Sequence, residues 1–152
     1  MKNEETAESA EKDFSLGKAA LAGEDTLTAL MHLERALRQR DNPGWHSYLG
    51  YCVAKERGQF RKGLELCHSS LAQEPDDPGH FYNLGRVHLA SGDKTEAMRV
   101  LREGMSKGGN PEIIMLLEKL GQRSPLLFPS LSRTHPLNRY LGLLLKRLGL
   151  RR

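Results

Sequence analysis

The chain has 152 residues, 28% of them charged, and a mean hydropathy of −0.55, and no stretch approaches the roughly 20 apolar residues that a transmembrane helix needs. Its first residues, MKNEETAESAEKD, lack the apolar segment of a secretory signal, and its two cysteines do not make a disulfide framework, which together favour a cytoplasmic location. Eight Lys/Arg and no acid follow Glu118, so the formal net charge of +4 divides into −4 over residues 1–118 and +8 over residues 119–152.

After an acidic lead over residues 1–9, helical patterns alternate with short turns that contain glycine. Asp25, Asp93 and Thr95 are expected to cap the helices that follow them, because a side-chain oxygen at that position accepts a free backbone N–H. The pattern predicts helices over 14–22, 26–40, 45–57, 59–73, 80–90 and 94–107.

These helices belong to a repeat with a period of 34 residues, present in three copies. A fixed period in this range indicates stacked supersecondary units. One position of the repeat is occupied only by small residues, which are Ala29, Gly63 and Ala97 in the three copies. The position four residues later is occupied only by apolar residues, which are Leu33, Cys67 and Leu101. Small residues at such a spacing let the two helices of a hairpin approach closely.

The third copy, FYNLGRVHLASGDKTEAMRVLREGM, resembles a tetratricopeptide repeat. The second copy matches as well, with one extra residue between Gly50 and Gly58, and the first copy matches more weakly. The resemblance implies an all-α fold: a right-handed α-solenoid of three helix–turn–helix repeats over 10–43, 44–77 and 78–111. The third copy carries the family's aromatic residue, Leu-Gly pair, Gly-Asp turn and second-helix positions in Phe81, Leu84, Gly85, Gly92, Asp93, Ala97, Leu101 and Gly104.

The resemblance also implies a concave groove, lined by the first helix of each repeat, in which members of the family bind peptides. Carried over position by position, the candidate groove residues are Phe14, Lys18, Tyr48, Tyr51, Lys55, Tyr82, Asn83 and Arg86. This mixture of aromatic and basic side chains suits an acidic segment of a protein partner, because Lys and Arg form charge-assisted hydrogen bonds with carboxylates. The alternative is that these side chains only solvate an exposed helix face.

The repeat pattern ends after Pro111. Residues 112–121 predict a capping helix, 122–135 a linker, and 136–152 a basic amphipathic helix with a leucine stripe. This last segment is expected to dock on the array, to lie on an anionic membrane surface, or to insert into a partner's groove, including that of a second copy in a homodimer. Its candidate interaction residues are Arg139, Leu141, Leu145, Lys146 and Arg147.

No recognisable catalytic motif is present, so we expect no enzymatic activity and no cofactor. No metal site is predicted either, because His80 and His88 lie two helical turns apart and the other histidines are scattered. Nucleic acid is not favoured, since the basic tail alternates its charges with leucine and the body is acidic. The sequence therefore predicts an adaptor that binds a peptide in its groove, with a peripheral membrane or complex-tethering factor acting through 136–152 as the alternative.

Overall fold

The computed structural model describes residues 2–121, and this part of the chain is entirely α-helical apart from its turns. No helix in this range is long and apolar enough to cross a membrane. The predicted linker at 122–135 and the predicted C-terminal helix at 136–152 lie outside the described residues. The helices are α1 (Lys2–Ala22), α2 (Thr26–Gln39), α3 (Pro43–Arg57), α4 (Phe60–Gln73), α5 (Pro78–Ala90), α6 (Lys94–Ser106) and α7 (Pro111–Gly121).

Helix α1 begins at Lys2, twelve residues before the predicted start at Phe14, so the acidic lead is part of the first helix. The extension is anchored where Ala10 is buried against Ala36 and Trp45. Acidic residues near a helix N-terminus are favourable because they oppose the positive end of the helix dipole. The polar composition of the lead is therefore compatible with a helix that is anchored further along by the buried side chains of Ala10 and Asp13.

Two of the three predicted caps are confirmed. Asp25 accepts a hydrogen bond from the Thr28 backbone N–H at 3.0 Å, and Asp93 accepts one from the Glu96 N–H at 3.0 Å. The prediction for Thr95 is wrong, because α6 already begins at Lys94 and Thr95 lies within its first turn. The aspartate one residue before the helix takes the capping position instead.

Consecutive helices pair as the hairpins α1–α2, α3–α4 and α5–α6, and α3 also packs against α2 and α5. Glycine on the first helix of a hairpin leaves room for an apolar side chain on the second. A Cβ built on Gly17 would lie 2.8 Å from Leu33 Cγ, and one built on Gly85 would lie 2.7 Å from Leu101 Cγ. The small and apolar residues that recur in each repeat are therefore the residues at which the two helices of a hairpin touch.

The extra residue of the second copy lengthens its first helix at the C-terminal end. Helix α3 has 15 residues against 13 in α5, and the Gly58 that follows its last residue adopts the left-handed conformation, with φ at 64°. Gly50 nevertheless faces α4, since a Cβ built there would lie 2.7 Å from the Gly63 carbonyl oxygen. The insertion therefore leaves the inward face of the helix intact.

A further helix follows the third hairpin, as predicted, and runs Pro111–Gly121. Its Ile113 is fully buried, and a Cβ built on Gly104 of α6 would lie 2.9 Å from Ile113 Cδ1. Helix α7 thus meets α6 at a contact between a small residue and an apolar side chain, as α1 meets α2 and α5 meets α6.

Candidate functional site

Two clusters of aromatic and basic side chains form across the first helices of the hairpins. The first cluster contains Phe14 and Lys18 of α1 and Tyr48 of α3. Lys18 Nζ lies 5.6 Å from the centroid of the Phe14 ring and 5.5 Å from that of Tyr48. The two rings meet edge to face with centroids 5.3 Å apart. The faces of aromatic rings attract cations, so this contact holds a positive charge between α1 and α3.

The second cluster contains Tyr51 of α3 with Tyr82 and Arg86 of α5. Arg86 Cζ lies 3.3 Å from the centroid of the Tyr51 ring and 4.8 Å from that of Tyr82. Within residues 2–121, no carboxylate forms an ion pair with this guanidinium, in contrast to Arg57, which pairs with Glu34 at 2.6 Å. Arg86 therefore combines a fixed orientation with N–H donors that remain available for an acidic ligand.

The charge of Arg86 also affects the titration of nearby groups. Burial raises the pKa of the Tyr51 hydroxyl, and the positive charge of Arg86 opposes that rise. Arg86 has the same opposing effect on the pKa values of Cys52 and Cys67, which burial raises. A positive potential therefore extends from Arg86 into the surrounding helices, which favours an anionic ligand at this face.

The remaining predicted groove residues differ in their accessibility. Lys55 is exposed in the last turn of α3. Asn83 is 1% exposed, and its Nδ2 donates a hydrogen bond to Ser47 Oγ at 3.0 Å. Its amide is therefore engaged inside the fold rather than presented to a ligand. Phe14 has a second role in packing, because its ring stacks on Trp45 with the centroids 4.5 Å apart.

The five predicted interaction residues of the tail fall outside the described residues, so their positions stay a prediction. They are Arg139, Leu141, Leu145, Lys146 and Arg147.

A buried polar network between α3 and α5 was not predicted. His80 is 1% exposed, with its Nδ1 2.8 Å from Ser47 Oγ and its Nε2 2.8 Å from Glu74 Oε2. A serine, a histidine and a carboxylate in contact are also the components of a hydrolytic triad. Ser47 is fully buried, however, so its hydroxyl cannot meet a substrate. The only signal in the sequence is that Ser47 and His80 stand 33 residues apart, close to one repeat period.

Comparisons with known proteins agree with this architecture. A family model described as tetratricopeptide repeat matches residues 54–120. The TPR domain of OM64 from Arabidopsis is similar in structure, with 15% identity, a TM-score of 0.57, and coverage of 78% of this chain and 99% of that one. The TPR domain of Sgt2 from Aspergillus fumigatus has 20% identity and a TM-score of 0.56, covering 86% of this chain and 93% of that one. At these identities the structural likeness shows the fold alone.

Proposed function

We propose that this chain, which a tetratricopeptide-repeat family model matches over residues 54–120, is a non-enzymatic adaptor that binds an acidic peptide segment in the face formed by α1, α3 and α5. Tetratricopeptide-repeat domains mediate protein–protein interaction. The specific observation that supports an acidic ligand is Arg86, which lies between Tyr51 and Tyr82 and has no carboxylate partner in the described part of the chain.

The arrangement of the two clusters explains how this face would bind a peptide. The tyrosine rings offer apolar area at low entropic cost, and the basic groups offer charge-assisted hydrogen bonds. Arg86 is already oriented by its contacts with the rings, so less side-chain entropy is lost when a carboxylate binds. Lys18, between Phe14 and Tyr48, supplies a second positive charge on the other side of α3.

The proposal includes a cytoplasmic location. It is supported by two free cysteines, Cys52 and Cys67, which are both buried and not paired with each other. Free thiols are typical of reducing compartments.

The test of the groove is a selection followed by charge reversal. A phage-displayed library of random dodecapeptides is selected on the full-length protein, and an enriched peptide is measured by fluorescence anisotropy. We expect enrichment of Asp- and Glu-containing peptides. The double variant Lys55→Glu/Arg86→Glu should bind such a peptide at least about tenfold more weakly, since two attractions become repulsions. The difference should shrink at high salt, where screening weakens wild-type binding.

The matched control reverses the charges of two basic residues on a different helix. Arg61 and Lys62 are exposed on α4, and Arg61→Glu/Lys62→Glu makes the same change in net charge. This control should bind the peptide as the wild type does, and both double variants should keep their helical circular dichroism. Equal affinity of the Lys55→Glu/Arg86→Glu variant and the wild type would remove this face as the binding site.

The second candidate function is attachment to an anionic membrane surface through residues 136–152. It is supported by the sequence, which places a leucine stripe beside basic residues in a segment without acids. This function predicts that the full-length chain cosediments with vesicles containing phosphatidylserine, and that Leu141→Ala/Leu145→Ala abolishes this without any change in charge. Retention of the wild-type chain in the supernatant would exclude it.

A further inference from the structure

The junction between α4 and α5 brings two carboxylates onto a buried histidine. His80 Nε2 lies 2.8 Å from Glu74 Oε2 and 3.9 Å from Asp77 Oδ2. One possible ligand atom from each of the three residues lies within 4.8 Å of the others. The His80 side chain is 1% exposed, whereas the side chains of Glu74 and Asp77 are 54% and 43% exposed. The group is therefore rigid at the imidazole and accessible from solvent at the carboxylates.

The imidazole is oriented by a residue outside this group. Ser47 Oγ lies 2.8 Å from His80 Nδ1, and the same oxygen accepts a hydrogen bond from Asn83 Nδ2 at 3.0 Å. Histidines that bind metals are commonly held in this way through the second ring nitrogen, which fixes the tautomer and the direction of the ligating nitrogen. Here the buried contact at Nδ1 directs Nε2 toward the two carboxylates.

The carboxylates also lack the basic partners that would neutralise them. In residues 2–121, neither Glu74 nor Asp77 forms an ion pair with a Lys or Arg, while the adjacent Asp76 pairs with Lys107 at 2.7 Å. Asp77 caps α5 through Oδ1, which accepts from the Gly79 N–H at 2.7 Å and leaves Oδ2 free for another contact.

We propose that Glu74, Asp77 and His80 bind a divalent first-row transition-metal ion, for which Zn²⁺ is the probe. One imidazole nitrogen and two carboxylate oxygens are suitable ligands, and three protein ligands leave one position for water. Ligand distances of about 2.0–2.2 Å in tetrahedral geometry place the ligand atoms ~3.3 Å apart. The 2.8 Å and 3.9 Å separations therefore need changes of roughly half an ångström, which exposed carboxylates can make by rotation about their side-chain bonds.

Such an ion would connect the second hairpin to the third, since Glu74 follows α4 and His80 lies in α5. The site would also adjoin the proposed binding face: Tyr48 Oη lies 3.4 Å from a Cβ built on Gly79. Metal binding is therefore expected to stabilise the array, and this inference stands independently of what the groove binds.

The experiment uses the full-length chain after dialysis against EDTA and then against metal-free buffer. Isothermal titration with ZnCl₂ should show binding with one strong site per chain, while MgCl₂, which prefers six oxygen ligands, should bind far more weakly. ZnCl₂ should also raise the melting temperature. Glu74→Gln should weaken Zn²⁺ binding at least about tenfold, and Asp76→Asn is the matched control that should leave it unchanged.

Glu74→Gln retains an acceptor for His80, so its melting curve in EDTA should match that of the wild type. Asp77→Ser is the second variant, because serine keeps the cap of α5 but removes the carboxylate ligand. Absence of Zn²⁺ binding to the wild type would overturn the proposal. Undiminished affinity in both Glu74→Gln and Asp77→Ser would overturn it equally, since the ion would then be bound by other residues.

Discussion

Gly63→Ala is expected to lower the free energy of unfolding by about 2 kcal/mol, although alanine is the better helix former. A Cβ at this position would lie 2.7 Å from the Gly50 carbonyl oxygen, 3.0 Å from Ala54 Cβ and 3.3 Å from Val87 Cγ1. The closest of these atoms belongs to the backbone and cannot rotate away, so α3 and α4 must separate. For a chain of this length, thermal unfolding should show a melting temperature about 6 °C lower.

The control is the same substitution at Gly23, in the turn between α1 and α2. A Cβ built there meets nothing closer than the Ala20 carbonyl oxygen at 3.5 Å, which is ordinary contact. Gly23→Ala should therefore change stability by no more than about 0.5 kcal/mol. Equal melting temperatures for the two variants would mean that the contact between α3 and α4 is looser than the structure has it.

The two cysteine thiols are expected to resist modification in the native protein. Burial raises the pKa of Cys52 and of Cys67 from 9.0 to about 12. Because the thiolate is the reactive form, three pKa units reduce its fraction at pH 8 about a thousandfold. Ellman's reagent should therefore react very slowly with the folded chain and should release two equivalents in denaturant. Rapid reaction of the native protein would contradict the burial of both residues.

The same shifts determine the direction of a pH effect on stability. Below pH 9 the thiols are protonated in both states and contribute nothing. Between pH 9 and 12 they ionise in the unfolded chain but not in the folded one, so the free energy of unfolding falls as pH rises, by about 1.4 kcal/mol per pH unit for each thiol. Urea unfolding at pH 8 and pH 10 measures this loss, which should be smaller in the Cys52→Ala/Cys67→Ala variant.

The hairpins and their contact lines could be predicted because they depend on local stereochemistry that the chain repeats three times. Gly17 and Gly85 occupy the same place relative to Leu33 and Leu101, so periodicity alone identifies the pairs. Capping is local as well, which is why Asp25 was identified correctly. The start of α1 was not predicted, because the acidic residues of the lead carry no apolar periodicity and the helix is anchored by tertiary contacts of Ala10 and Asp13.

The aromatic and basic residues of the candidate binding face could be selected from the resemblance to the tetratricopeptide repeat, but their pairing could not. Arg86 of α5 lies on Tyr51 of α3, and Lys18 of α1 lies near Tyr48, only because the hairpins stack with a particular rotation. The packing of α5 against α3 buries Asn83 against Ser47, although the resemblance placed Asn83 with the groove residues.

The helical repeats, their period, the hairpin contacts and a set of basic and aromatic residues on the first helices could be predicted from the amino-acid sequence. These properties follow from interactions between residues that are close in the chain or repeated at a fixed interval. The contacts of His80 with Ser47 and Glu74, in contrast, result from the packing of the hairpins. These contacts join residues of two different hairpins, so they depend on how the hairpins pack. Packing determines which polar atoms are buried, and buried polar atoms must find hydrogen-bond partners within the fold.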